Sequence, residues 1–307
     1  MYVVHGATGH TGGVIVRTLL AEGHAVRAIG RSAEKLKPLE ELGAEPVPAN
    51  VGDREQLEKA YKGADAAYVM IPPDMESQDY RREQDLFSTV IAAALQSTKV
   101  KHVVALSSIG ADKESGTGPV TGLHVLENRL REIPGLNSLS VRAAYFMENT
   151  LPQAGIIAQM GVAAGPLRGD LALPMIATAD IGDFAAAALT KLDFSGHQTQ
   201  ELLGQRDLSM NEVTRIIGAA IGKPDLNYVQ PPNEQLRPAF AALGMSEDVT
   251  RLILEMAGAL NSGYMTALEQ RTPRNTTATS YEEFVANVLM PYYRQVSSAT
   301  AHSTTGS

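Results

Sequence analysis

The chain opens MYVVHGATGHTGGVIVRTLL, residues 1–20, and the reading of this stretch decides the fold. A short apolar or aromatic run, Tyr2 to His5, meets glycines at 6, 9 and 12. Ile15 and Leu19 then recur at helical spacing. A strand that turns through glycines into a helix leaves unpaired main-chain N–H groups at the positive end of the helix dipole. That end attracts anions, and glycine lets a diphosphate touch the backbone itself. The candidate phosphate-binding residues are therefore Gly6, Thr8, Gly9, His10, Thr11 and Gly12. The competing reading is a tight strand-to-helix turn with no ligand, and the surrounding sequence has to decide between them.

Working outward, the same rhythm repeats. Apolar runs at 25–30 (AVRAIG), 44–49 (AEPVPA), 66–71 (AAYVMI) and 102–108 (HVVALSS) read as buried parallel strands. Between them, apolar residues recur at three and four, as in Leu36 and Leu39, Leu57 and Tyr61, and Leu86, Val90 and Ala94. Asp53 is an expected N-cap, with Gln56 completing a capping box. Strands alternating with helices predict an α/β, doubly wound parallel sheet, whose ligands bind beyond the strand carboxyl ends. Past Ser107 the rhythm changes. IGADKESGTGPVTG is a loop, 123–131 a helix and 138–142 a sixth strand; further helices are expected at 181–192, 210–221 and 281–293. The domain reading is a nucleotide-binding unit over 1–143, with 176–192 returning to it, a smaller α/β lid over 144–296, and a polar disordered tail over 297–307.

Composition narrows the function. With 44% hydrophobic and 20% charged residues, the 307-residue chain has the balance of a globular protein. A net charge of −8 and the lack of any Lys/Arg block argue against a nucleic-acid partner. Without cysteine there is no disulfide, no thiolate nucleophile and no Cys-ligated zinc. The seven histidines include no His-x-x-x-His pair, so no metal is expected. No stretch reaches the ~18 apolar residues of a membrane span, and the expected location is cytoplasmic. A homodimer is the expectation from base rates.

Several stretches together resemble one family. These are GATGHTGG, AIGRS after the second strand, NVGD after the third, LSSIGAD after the fifth, VRAAYFMENTL at 141–151, and SYEEFVANV near the C-terminus. They are similar to the NmrA-like branch of atypical short-chain dehydrogenases/reductases, although Ala143 stands where the family signature has proline. The resemblance implies a Rossmann-type fold, an NAD(P)H cofactor and an oxidoreductase of quinone-reductase type. It places Asn50 and Val51 beside the adenine, and Ile71 and Pro72 on the path to the nicotinamide. Cofactor choice also has a physical argument. An NAD-selective site carries a carboxylate at the end of the second strand, where this chain has Arg31 and Ser32. A guanidinium binds a 2′-phosphate bidentately, so NADPH is expected over NADH, with Ser32 or Lys35 assisting Arg31. A solvated surface arginine is the other reading.

The chemistry is less explicit. No lysine has a tyrosine four residues before it, so the superfamily's Tyr-x-x-x-Lys pair is missing. The resemblance puts His124 near the place of a family lysine, as a nicotinamide-ribose contact or proton donor; a helix-surface histidine with no role is equally open. It puts Ser107 and Ser108 where polar residues of the fifth strand meet substrate, with strand capping as the alternative. Tyr145, Phe146 and Asn149 are candidates for the nicotinamide pocket or its rim, with core packing the competing account of the two aromatics. Hydride transfer to a ketone makes an alkoxide of water-like pKa near 15.7, whereas a quinone gives a phenolate-like anion near ~10. That gap is worth roughly 8 kcal/mol, which favours a quinone or other conjugated carbonyl as the small-molecule acceptor. A non-catalytic NADP(H) sensor acting through a protein partner is the alternative function.

Overall fold

The computed structural model describes residues 1–304, with side chains to Ser298. Seven strands form one parallel sheet: β1 (Tyr2–Val4), β2 (Val26–Gly30), β3 (Glu45–Pro48), β4 (Ala66–Val69), β5 (His102–Ser108), β6 (Asn137–Ala143) and β7 (His197–Leu202). Their order across the sheet is β7-β6-β5-β4-β1-β2-β3. The helices are α1 (His10–Ala21), α2 (Ala33–Glu41), α3 (Arg54–Tyr61), α4 (Tyr80–Thr98), α5 (Thr121–Arg131), α6 (Gln153–Met160), α7 (Thr178–Lys191), α8 (Met210–Ala220), α9 (Asn233–Ala242) and α10 (Glu247–Asn261). A closing helical run passes from Tyr281–Phe284 through a π-helical stretch, Val285–Leu289, into Met290–Thr304. The segment expected as a tail from Ser297 is thus helical to Thr304, and 305–307 lie outside the described residues.

Alternation along the strands sends side chains to two cores. Val4, Ala28, Val104 and Val141 join Ile15, Val16 and Leu19 of α1 and Ile181, Ala185 and Leu189 of α7 on one face. Val3, Ile29, Val69 and Val103 join Leu57, Ile91, Leu95, Leu126 and Leu130 of α3, α4 and α5 on the other. The sheet is therefore doubly wound, as its alternating pattern requires. Helix α7 crosses α1 so closely that a Cβ on Gly182 would stand 2.6 Å from Val14 Cβ. Two local expectations shift. The buried stripe of α4 includes Gln84, Ser88, Ile91 and Leu95, leaving Leu86 50% exposed. Asp53 does cap α3, accepting from the Gln56 amide at 3.1 Å, but the Gln56 carboxamide turns to the Asn50 N–H.

Strand β7 was not legible. It reads HQTQEL, and only Glu201 and Leu202 are buried. An edge strand needs no apolar run, and its register against β6, from His197 opposite Ser138 to Leu202 opposite Ala143, fixes it instead. The second lobe surrounds a third core built from Met147, Ile157, Leu173, Met175, Val213, Leu260, Tyr281 and Phe284. It holds a small three-stranded sheet of Tyr145–Phe146, Leu173–Ile176 and Asp207–Leu208.

Candidate functional site

The chain runs outward from β1 through β2 to β3, then returns to place β4 on the other side of β1. At that reversal the connections leave in opposite directions and open a crevice beyond the strand ends. The glycine loop lies there. Gly6 takes φ +58°, a left-handed conformation that glycine adopts without strain. Its carbonyl accepts the Gly9 N–H at 2.8 Å, and the Ala7 N–H is tied to Ile29 O at 3.0 Å. A Cβ on Gly12 would fall 2.3 Å from Gly6 O and 2.8 Å from His5 O, so any side chain there would push loop and helix apart. Gly9 is the N-cap of α1 and no side chain caps the helix, which leaves its first-turn amides to solvent or a ligand. Thr8, Gly9 and His10 are exposed around them. Thr11 differs: it is buried, and its hydroxyl accepts from Tyr68 at 3.0 Å.

At the tip of β2, Arg31 is exposed and makes no ion pair among the described residues. Ser32 caps α2 by accepting the Lys35 N–H at 3.3 Å. Beyond β3, Asn50 is exposed and its side-chain oxygen accepts the Gly52 N–H at 2.9 Å, while Val51 is buried. Ile71 is buried and Pro72 half-buried past β4. Met70 stands over the glycine loop, its sulfur 3.0 Å from where a Gly6 Cβ would be. Beneath the crevice, His5 is fully buried, stacked on Tyr61, with Nε2 2.5 Å from the Tyr61 hydroxyl. Burial drives its pKa down to about 3, so the ring is neutral.

Around the ends of β5 and β6 the polar groups are side chains, and most are already engaged. Ser107 is buried, and its hydroxyl donates to Glu127 Oε1 at 2.6 Å. Glu127 also accepts a bidentate pair from Arg142 at 2.9 and 2.7 Å and a bond from Arg131 at 3.1 Å. The Glu127 carboxylate holds the Arg142 guanidinium above its usual range. This buried network joins β5, α5 and β6, and the sequence reading missed it because Glu127 sits in a polar run, ENRLRE, that resembles a solvated helix face. His124 is likewise committed: Nδ1 donates to Ala111 O at 2.9 Å, and Nε2 accepts from Asn128 Nδ2 at 2.8 Å. Ser108 donates to Ile109 O.

Beyond β6, Tyr145 and Phe146 part company. Phe146 and Met70 both pack against the core under α1 and α7, whereas Tyr145 packs against the second-lobe core. Both are half-buried, and Asn149 is exposed. Burial raises the Tyr145 phenol to about 12. The loop after β4 is tied to the second lobe through Ser246 N to Met75 O at 2.9 Å, Tyr80 N to Asp248 at 2.9 Å and Arg81 to Glu255 at 2.9 Å. These partners lie more than 160 residues apart in sequence, beyond the reach of any local pattern. Among the described residues no helix is long and apolar enough to cross a membrane, and no cluster of three ligating side chains could hold a metal.

This arrangement has counterparts. The NmrA-like family matches residues 2–285. An NAD(P)H azoreductase from Xenophilus azovorans is 28% identical over 290 residues, covering 92% of this chain and 96% of its own. The (4-alkanoyl-5-oxo-2,5-dihydrofuran-3-yl)methyl phosphate reductase of Streptomyces griseus is 29% identical over 73% of this chain and 75% of its own. In structure, the Citrobacter triphenylmethane reductase complexed with NADP(H) superposes with a TM-score of 0.75 at 19% identity, over 94% of this chain and all of that one. The chain belongs to the NmrA-like family.

Proposed function

We propose that this protein is a reductase that binds NADPH in preference to NADH and passes hydride to a small conjugated acceptor, such as a quinone. The observation that carries the reading is the cradle at Gly6 and Gly12: it has no room for side chains, sits at the reversal of the sheet, and presents the uncapped amides of α1. Those amides hold the diphosphate. Arg31, unpaired and exposed at the tip of β2, takes the 2′-phosphate, a role that a carboxylate there would forbid. Asn50 and Val51 border the adenine; Ile71, Pro72 and Phe146 border the nicotinamide. The bound cofactor supplies the hydride, and this chain holds it against the acceptor. The relative named NAD(P)H azoreductase supports a small conjugated acceptor for this chain as well.

His124 and Ser107, both bound within the protein, shape the wall and transfer no proton. The overall reaction takes NADPH, one proton and a quinone to NADP⁺ and a hydroquinone. It is tested by following NADPH oxidation with purified protein against a panel of quinones and conjugated carbonyls. Turnover with at least one acceptor is expected. Tight binding without oxidation by any acceptor would replace the reductase with a nucleotide sensor, which the paired His124 and Ser107 also suit.

A further inference from the structure

A carbonyl or azo acceptor, unlike a quinone, needs a proton as the hydride arrives. The helix that carries the acid in the wider superfamily offers none here. His124 has both ring nitrogens engaged. Among the hydroxyls at the ends of β5 and β6, Ser107 donates to Glu127 and Ser108 to Ile109 O. Thr117 and Thr121 pair with each other at 3.3 Å, and Thr150 is shared between Met147 O and Tyr281. Tyr145 is the exception. It lies two residues beyond β6, it is half-buried, and among the described residues nothing takes its hydroxyl. Its ring packs against the second-lobe core just past the carboxyl end of β6, the side of a parallel sheet on which ligands bind.

We propose, building on the reductase reading above, that the Tyr145 hydroxyl is the proton donor to acceptors that lack a quinone's stabilisation. Hydride adds to the carbonyl carbon, the π pair moves to oxygen, and that oxygen takes the Tyr145 proton; solvent then reprotonates the tyrosinate. For an azo acceptor the same pair and proton go to the second nitrogen. The group suits this work. Burial keeps the hydroxyl protonated across the working pH range. Held near 12, it still gives up a proton more readily than water at 15.7. Tyr228 is not an equivalent candidate, because its own hydroxyl donates to Leu167 O at 2.8 Å.

The test is Tyr145→Phe, which keeps the ring, with Tyr228→Phe as a control for lost hydroxyls. With carbonyl or azo acceptors, kcat should fall about 100-fold in Tyr145→Phe, within the usual range for a general acid. With a quinone it should change less than about threefold, and NADPH affinity should not move. An equilibrium readout needs no turnover: 4-nitrophenol titrated into cofactor-free protein and followed by phenolate absorbance. A donor hydroxyl favours the bound phenolate, so its apparent pKa should lie about one unit lower on the wild type than on Tyr145→Phe. Equal pKa values on the two proteins, or equal losses with quinone and carbonyl acceptors, would overturn the assignment. A wild type that fails to bind NADPH would instead strike the reductase reading itself.

Discussion

The two ends of the crevice are made of different material. At the proposed cofactor end the elements offered are main-chain: a left-handed Gly6, a Gly12 pressed against it, and the amides of an uncapped helix. At the proposed acceptor end, around the ends of β5 and β6, they are side chains, and most of the polar ones are bonded within the protein. The lesson concerns what a sequence can reveal. A glycine requirement is written at the residue that needs it. A serine or histidine has no fixed role until its partner is known.

The sharpest way to break this contrast is to remove the carboxylate at the centre of the acceptor end. Glu127→Ala leaves Arg142, almost wholly buried, without its partner. About 3–5 kcal/mol of stability should be lost, read by denaturant unfolding, while NADPH affinity of the folded protein stays within about threefold. A selective loss of activity with unchanged stability would show that the network is chemical rather than structural.

Next in size is the cofactor end. Gly12→Ala places a methyl 2.3 Å from Gly6 O, and the loop must move away from the helix it feeds. NADPH affinity should weaken about 100-fold or more by calorimetry, with the fold retained apart from roughly 1–3 kcal/mol of strain. Unchanged affinity would mean that the diphosphate lies elsewhere.

His5, buried directly before the glycine loop, gives a pH signature. Its folded pKa, near 3, is below the 6.5 of an unfolded chain, so only the unfolded state takes up its proton between those values. The stability it contributes is complete above 6.5 and is lost as pH falls toward 3, at about 1.4 kcal/mol per pH unit. Unfolding measured from pH 7 to 4 should show this slope, and His5→Phe should remove it.

The smallest effect is expected at His124. With both nitrogens bound inside the protein, His124→Ala should cost about 1 kcal/mol of stability and change quinone turnover less than about threefold. A hundredfold fall would return it to the chemistry.

The sheet, its helices and the glycine loop were legible because each strand's apolar run and each glycine is a local necessity. Edge strand β7 was not, since half-exposed HQTQEL carries no apolar signal and is fixed only by β6. Thr11 falls in the first turn of α1, and its hydroxyl accepts from Tyr68, a residue 57 positions away that no local pattern links to it. Glu127 and Arg142 looked like ordinary charges on a helix and a strand, and only packing α5 on β5 and β6 buried them as a pair. Arg31, at a strand tip with no competing carboxylate, kept the position that its local sequence implied.

The central claim is most directly tested by titrating NADPH and NADH into the wild type and into Arg31→Glu by calorimetry. NADPH should bind the wild type at least about tenfold more tightly than NADH, which is about 1.4 kcal/mol, and the substitution should erase or invert that order. No binding heat from either nucleotide, or an order left unchanged by Arg31→Glu, would contradict it.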